Sequence, residues 1–215
     1  MPDETTTAAY WDRVAEETDF TFPVDYELIE EHLSRDVRVL DLGCGYGRIA
    51  SKLRARGFSR VVGFDPAPSM IKRGRREHPG LDLRPWLGGE LPLAADSVEG
   101  VLMVGVLSCV IDDAARRDLM DEVSRVLAPG GLLYISDAPI QSSPEYNERY
   151  TDALEERFGK GALKIGDEGV VRHLSESTFR DITTDFTTIH RARVSGESLE
   201  ENILDIIEYL GRLRS

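Results

Sequence analysis

The sequence predicts a doubly wound, mostly parallel α/β sheet with its site at the carboxyl ends of the strands. Three observations carry that expectation. An apolar run from Val37 reaches an acid at Asp41, then glycines at alternate positions 43, 45 and 47, then a helix-like start at Arg48. A second apolar run, Arg60–Asp65, again ends in an acid. From there to Asp137 strand-like and helix-like stretches alternate.

The 215 residues suffice for one domain with a sizeable core, or one domain with a small lid. No run of about 18 apolar residues occurs, so no membrane helix is expected. The start, Met1-Pro2-Asp3-Glu4-Thr5, is acidic and polar, unlike a signal peptide, and a cytoplasmic location is expected. A formal net charge of −13 repels phosphate backbones. That argues against nucleic acid and anionic membranes as partners. Cys44 and Cys109 are too few for a disulfide framework or a zinc site and read as small buried thiols.

In chain order, residues 1–9 are polar and expected to fray. Ala8–Glu17, with Tyr10, Trp11, Val14 and Ala15, is amphipathic; its aromatics either plug a core edge or roof a site. Asp25–Leu33 is a second amphipathic helix. The first strand then runs into the glycine turn. Without Cβ atoms the turn can be sharp and a ligand can lie against it, while the next helix aims free N–H groups there. A dinucleotide fingerprint, G-x-G-x-x-G, would need glycine at position 48, which is Arg48, so that pattern fails. Arg48–Arg56 is a helix closed by Gly57.

Asp65 lies 18 residues past Gly47, at the tip of the second strand, where a carboxylate can accept both hydroxyls of a ribose. Ile71–His78 is a basic helix, read as a solvated face. Leu81–Leu87 is a third strand and Val98–Val106 a fourth, whose near-continuous apolarity fits burial on both faces. Asp113–Leu127 is a helix stopped by Pro129-Gly130-Gly131, and Leu132–Asp137 is the fifth strand. Ala138–Leu174 changes character. Two prolines and a Tyr146/Tyr150/Leu154/Phe158 stripe suggest a loop and a helix, with the stripe read as packing before binding. Ser175–Ile182 is a short helix with Ser175 as N-cap, and Phe186–Val194 is strand six. Leu199, Ile203, Ile206, Ile207, Leu210 and Leu213 fit a helical period, so the residues alone leave the last segment open between helix and strand.

The pattern Asp41-x-Gly43-x-Gly45-x-Gly47 resembles motif I of the class I S-adenosylmethionine (SAM)-dependent methyltransferases, in the type 11, methyltransferase-domain superfamily. Arg60–Asp65 resembles their motif II. Leu91-Pro92 ahead of the fourth strand, and Arg125–Gly131 ahead of the fifth, are similar to two further landmarks. The resemblance covers Val37–Asp137. It implies a Rossmann-like seven-stranded sheet with helices on both faces and an antiparallel last strand. Tyr209-Leu210-Gly211-Arg212 is similar to the family's ending, which favours a seventh strand over Leu204–Arg212. It also implies one domain, 1–215, with a helical cap over about 8–34 and a substrate-lid insertion over about 138–174.

The resemblance implies cofactor contacts as well. Asp41, Gly43, Cys44 and Gly45 fall at the methionine loop, Asp65 at the ribose, and Pro66 and Met70 at the adenosine, while Tyr10 stands where the family often places a tyrosine near the methionine end. Val104 and Gly105 end the fourth strand. The acid that usually meets the adenine amino group is here Leu87. Adenine recognition then falls to backbone at Leu87 and Gly88, or to stacking by Trp86. Methylases of exocyclic amino groups in nucleic acid typically carry Asn or Asp-Pro-Pro-aromatic at the end of the fourth strand. This chain has Met103-Val104-Gly105-Val106.

The expected activity is methyl transfer from SAM to a small-molecule acceptor, giving S-adenosylhomocysteine (SAH), with no metal. In-line transfer depends on positioning, and a base helps only if the nucleophile must lose a proton. His173 and Asp137 are the base candidates; each also has a structural reading, as a buried histidine and as a turn cap. Two other readings are a SAM-binding protein without transfer activity, which Leu87 keeps open, and a nicotinamide-dependent enzyme, which Arg48 opposes. Monomer and homodimer both remain open.

Overall fold

A computed structural model describes residues 4–198 and 202–214. Met1–Asp3 of the expected frayed start, and Leu199 of the apolar period, lie outside the described residues. The elements are α1 (Glu4–Arg13), α2 (Tyr26–His32), β1 (Arg38–Leu42), α3 (Arg48–Ala55), β2 (Arg60–Asp65), α4 (Pro68–Glu77), β3 (Asp82–Pro85), β4 (Val98–Val104), α5 (Asp113–Val126), β5 (Leu127–Asp137), α6 (Pro144–Arg149), α7 (Asp152–Phe158), β6 (Ala162–Ile165), β7 (Gly169–Arg172), α8 (Glu176–Ile182), β8 (Phe186–Glu197) and β9 (Ile203–Leu213).

Seven strands form one sheet in the order β3-β2-β1-β4-β5-β9-β8. The first five are parallel, and β9 runs antiparallel between β5 and β8. Order reverses between β1 and β4, so their carboxyl ends open a crevice where ligands bind in such sheets. The apolar strands sort their side chains by alternation. Leu40, Leu42, Val101, Met103, Leu133 and Ile135 face α5 and α8, where Leu119, Val123, Phe179 and Ile182 pack. Val39, Leu102, Leu132 and Tyr134 face the other way, toward Ile29 of α2 and Ile49 and Leu53 of α3.

Ser175 is the N-cap that the sequence predicts, and Asp25 and Asp112, which it does not single out as caps, do the same for α2 and α5. Asp25 accepts from the Leu28 N–H, Asp112 from Ala114 and Ala115, and Ser175 from Thr178. The last segment is a strand, and its mid-sheet position explains its composition. A strand covered on both faces is apolar nearly throughout, which blurs the difference between period 2 and period 3.6.

Three expectations are corrected. The first helix begins at Glu4, within the stretch expected to fray, and ends at Arg13. Tertiary contact holds it: Thr7 Oγ1 donates to Val170 O at 3.2 Å, and Asp12 accepts from Ser69 N. The basic helix is not simply a solvated face. Arg73 is buried, its guanidinium sits 4.0 Å over the Tyr46 ring, and it donates to the Ala15 and Thr18 carbonyls and to Asp19. Between β5 and α8 the chain forms two short helices and a β6–β7 hairpin rather than a loop and a helix. The aromatic stripe breaks at Tyr150, which leaves the helix with extended dihedrals. The hairpin turns at Gly166, whose φ of 53° is in the left-handed region.

Candidate active site

One cavity of about 1290 Å³ opens over the carboxyl ends of β1, β2 and β4. Its wall brings together Tyr10, Gly43, Cys44, Asp65, Pro66, Met70, Leu87, Gly88, Val104, Gly105 and His173. Asp41 and Gly45 stand behind that wall. Asp41 is buried and its Oδ2 accepts the Ala50 N–H at 3.0 Å, which fixes the first turn of α3. Burial pushes its carboxyl up to about 7.

The glycine turn is held from the neighbouring strand. Gly43 and Cys44 donate their N–H groups to Phe64 O at 2.8 and 3.0 Å. Gly45 donates to Asp65 Oδ2 at 2.8 Å, and Ala67 donates to Oδ1 at 2.8 Å. Each Asp65 oxygen thus keeps a lone pair beyond its backbone bond. Burial raises this carboxyl to about 6. At Gly43, φ is 71° and an added Cβ would stand 2.5 Å from Val106 Cγ2. The turn therefore excludes a side chain by both conformation and space.

Residues missed from sequence complete the cavity. The segment 17–22 crosses its mouth, with Phe20 and Phe22 on the wall. Arg48, at the failed dinucleotide position, donates to Phe22 O at 2.8 Å and anchors that segment. The dense Tyr10, Trp11, Phe20 and Phe22 aromatics in a polar stretch were the available signal. On the far side, Tyr146 and Arg149 of α6, Leu163 and Ile165 of β6, Val171 of β7 and Leu204 of β9 form a largely apolar chamber. Trp86 and the 81% exposed Leu87 stand at the rim.

The Asp137 carboxyl and the Cys109 thiol are committed elsewhere. Asp137 is fully buried and accepts from the N–H groups of Leu107, Ser108 and Ala138. It organises the loop after β4, and burial raises its carboxyl. Cys109, expected to be buried like Cys44, is half-buried; desolvation pushes its thiol up to about 12 and it donates to Gly105 O at 3.2 Å, so it stays protonated. His173 lies 2.7 Å from the Tyr150 hydroxyl through Nδ1, and burial, aided by Arg149, lowers its pKa to about 3.

Residues 39–131 match the sequence model of the family described as "Methyltransferase domain". That stretch spans the glycine turn, Asp65 and the first four strands, in the strand order already given. The chain carries a class I SAM-dependent methyltransferase domain.

Relatives of the methyltransferase domain agree. It is 39% identical over 103 residues to the biotin biosynthesis bifunctional protein BioHC of Cellvibrio japonicus, covering 46% of this chain and 19% of that protein. It is 28% identical over 116 residues to a demethylmenaquinone methyltransferase of Chlorobaculum parvum, covering 54% of this chain and 47% of that one. The chain thus spans less than half the length of these curated relatives. A SAM-dependent methyltransferase structure from Methanosarcina mazei superposes with a TM-score of 0.82 at 23% identity, over 89% of this chain and 99% of the other, and shows the same fold.

Proposed function

We propose that this chain transfers a methyl group from SAM to a small-molecule acceptor and releases SAH. The observation that carries the reading is one continuous cavity joining the glycine turn and Asp65 to an apolar chamber under α6 and the β6–β7 hairpin. The residues suit the cofactor. Asp65 presents two fixed oxygens with spare lone pairs to a ribose diol, and Gly43 and Gly105 leave backbone free for close approach. Met70 and the Trp86–Gly88 rim supply surface for an adenine. Tyr10 closes the methionine end from α1, while Asp41 and Gly45 act indirectly, by holding the loop.

Bound there, SAM supplies an electrophilic methyl on a sulfonium. The chain's own contribution is to hold the acceptor in line and to exclude water. Alignment of this kind accounts for much of such a rate. Residues 8–34 cap the cavity and residues 138–174 form the acceptor lid. An enclosed chamber on so acidic a chain favours a small acceptor over a nucleic acid. One relative is named for such an acceptor, demethylmenaquinone. Among the described residues no helix is long and apolar enough to cross a membrane. The free thiols of Cys44 and Cys109 suit the cytoplasm, where the chain would act as a monomer or homodimer.

Calorimetric titration with SAM and with SAH tests the reading. Micromolar binding of both is expected, followed by methylated product from a screen of small acceptors. Absence of binding overturns it, and binding without transfer to any acceptor favours the non-catalytic alternative.

A further inference from the structure

The hydrogen-bond pattern around His173 decides what its ring offers to the chamber. Gln141 is fixed first: its Nε2 donates to the Pro139 and Asp205 carbonyls, and its Oε1 accepts from Asp205 N at 2.8 Å. The Gln141 backbone N–H then donates to the Tyr150 hydroxyl at 2.9 Å. That oxygen also lies 2.7 Å from His173 Nδ1. With the Gln141 donor already on the oxygen, and no other acceptor beside the hydroxyl among the described residues, the geometry assigns the hydroxyl hydrogen to His173 Nδ1. Nδ1 therefore carries the lone pair, and in a neutral ring the hydrogen sits on Nε2.

The ring is held in place on all sides. Its backbone N–H bonds Gly161 O at 2.9 Å, the preceding Arg172 N–H bonds Ser108 O at 2.8 Å, and the Tyr146 ring lies 5.7 Å away. His173 is only 6% exposed, and the wall it shares is the chamber. Among the described residues no protein group bonds Nε2. Its neighbours on the wall are apolar, Leu163, Val171 and Leu204, and the guanidinium of Arg149, which donates to Lys164 O and lies over the Tyr146 ring, adds a positive charge close by. Nε2 is not among the buried side-chain atoms left without a partner, so it opens to the chamber, where its hydrogen is available to a ligand.

A general base needs the opposite arrangement, an Nδ1–H held by an acceptor and a lone pair on Nε2. We propose that His173 binds the methyl acceptor by donating its Nε2–H to a carboxylate oxygen, and that the acceptor is an apolar, ring-bearing carboxylate. The ligand's identity as methyl acceptor rests on the function proposed above; the placement of the hydrogen does not. Burial and Arg149 keep the ring neutral at physiological pH, so it serves as a donor without becoming a cation.

The test uses the full chain, saturated with SAH, and benzoate and benzylamine as probes. Long-range proton–nitrogen spectra, assigned by comparison with His173→Leu, should show Nε2 protonated and Nδ1 unprotonated across about pH 5 to 8. Benzoate should shift the Nε2–H signal and benzylamine should not bind. His173→Leu should weaken benzoate about ten-fold or more, while His173→Gln, which retains a donor, should stay within a few-fold. Protonated Nδ1, an imidazolium at neutral pH, benzoate affinity unchanged in His173→Leu, or no benzoate binding to SAH-loaded protein would each overturn the proposal. Failure of SAH itself to bind would instead strike the methyl-transfer reading, and the spectrum would still decide the tautomer.

Discussion

Asp65 and Gly45 are joined across the site. The carboxylate at the tip of β2 accepts the N–H in the middle of the turn after β1, at 2.8 Å. One side chain thus shapes the loop and faces the cavity, and on the proposed reading this ties SAM affinity to loop geometry.

Replacing Asp65 by Ala should therefore weaken SAM binding by roughly 1.5–3 kcal/mol, the scale for charged hydrogen bonds. Calorimetry checks this, and unchanged affinity would remove the ribose assignment.

The raised Asp65 carboxyl also sets a pH dependence for binding. On the proposed reading ribose hydroxyls donate to the ionised form, so binding should release a proton near the carboxyl's pKa of about 6. SAM affinity should then rise as pH rises toward that value, by up to about ten-fold per pH unit below it, and level off above. A flat affinity between about pH 5 and 7 counts against it.

Asp41 makes a stability prediction of the opposite sense from an ordinary surface acid. Its folded pKa, about 7, lies well above the ordinary value of an aspartate, so the folded state binds the proton more tightly. The stability it contributes is present at low pH and lost as pH rises from about 4 to about 7. Asp41→Asn should remove that slope. Urea unfolding of both proteins across this range should show the native chain losing ground to the variant, by about 1–4 kcal/mol.

Gly43→Ala should place a Cβ against Val106 in a left-handed conformation. A destabilisation of about 1–3 kcal/mol is expected, with SAM affinity reduced at least as much. Thermal melts with and without SAM separate the two effects.

Arg73→Met should leave the Ala15 and Thr18 carbonyls without their donor and take the cation from the Tyr46 face. Hydrogen exchange should show residues 4–22 opening at about 1.5–3 kcal/mol lower cost than in the native chain, while β1, β4 and β5 keep their protection. Uniform loss of protection would mean that Arg73 supports the whole fold rather than the cap.

The sheet was legible in the sequence because its strands are apolar runs with sharp punctuation, Asp41 before Gly43 and Asp65 before Pro66; the exception is β5, which begins at Leu127 and carries Gly130-Gly131 inside it, where the sequence reading starts the strand at Leu132. Local chemistry fixes those boundaries, so a local reading finds them. The acceptor side was harder to read. The four-residue strands β6 and β7 carry almost no period, and their partners at Leu163 and Val171 are set by a turn at Gly166. Arg73 looked like one charge among a basic run, and only a chain segment more than 50 residues away reveals its use. Similarly, the state of His173 depends on Gln141 and Tyr150 together, a relation that no spacing announces.

The placement of β9 governs the order in which the sheet can be finished. β8 leaves the ribosome before β9, yet among the described residues β9 is its only partner in the sheet, and the outer edge of β5 waits for the same strand. Until residue 213 has cleared the exit tunnel, two rows of backbone donors and acceptors stand open on the nascent chain. Such edges invite pairing with other chains. The half-made protein is therefore the vulnerable one. A ribosome paused between β8 and β9 holds a crevice already framed by β1, β2 and β4 beside a sheet that cannot yet close.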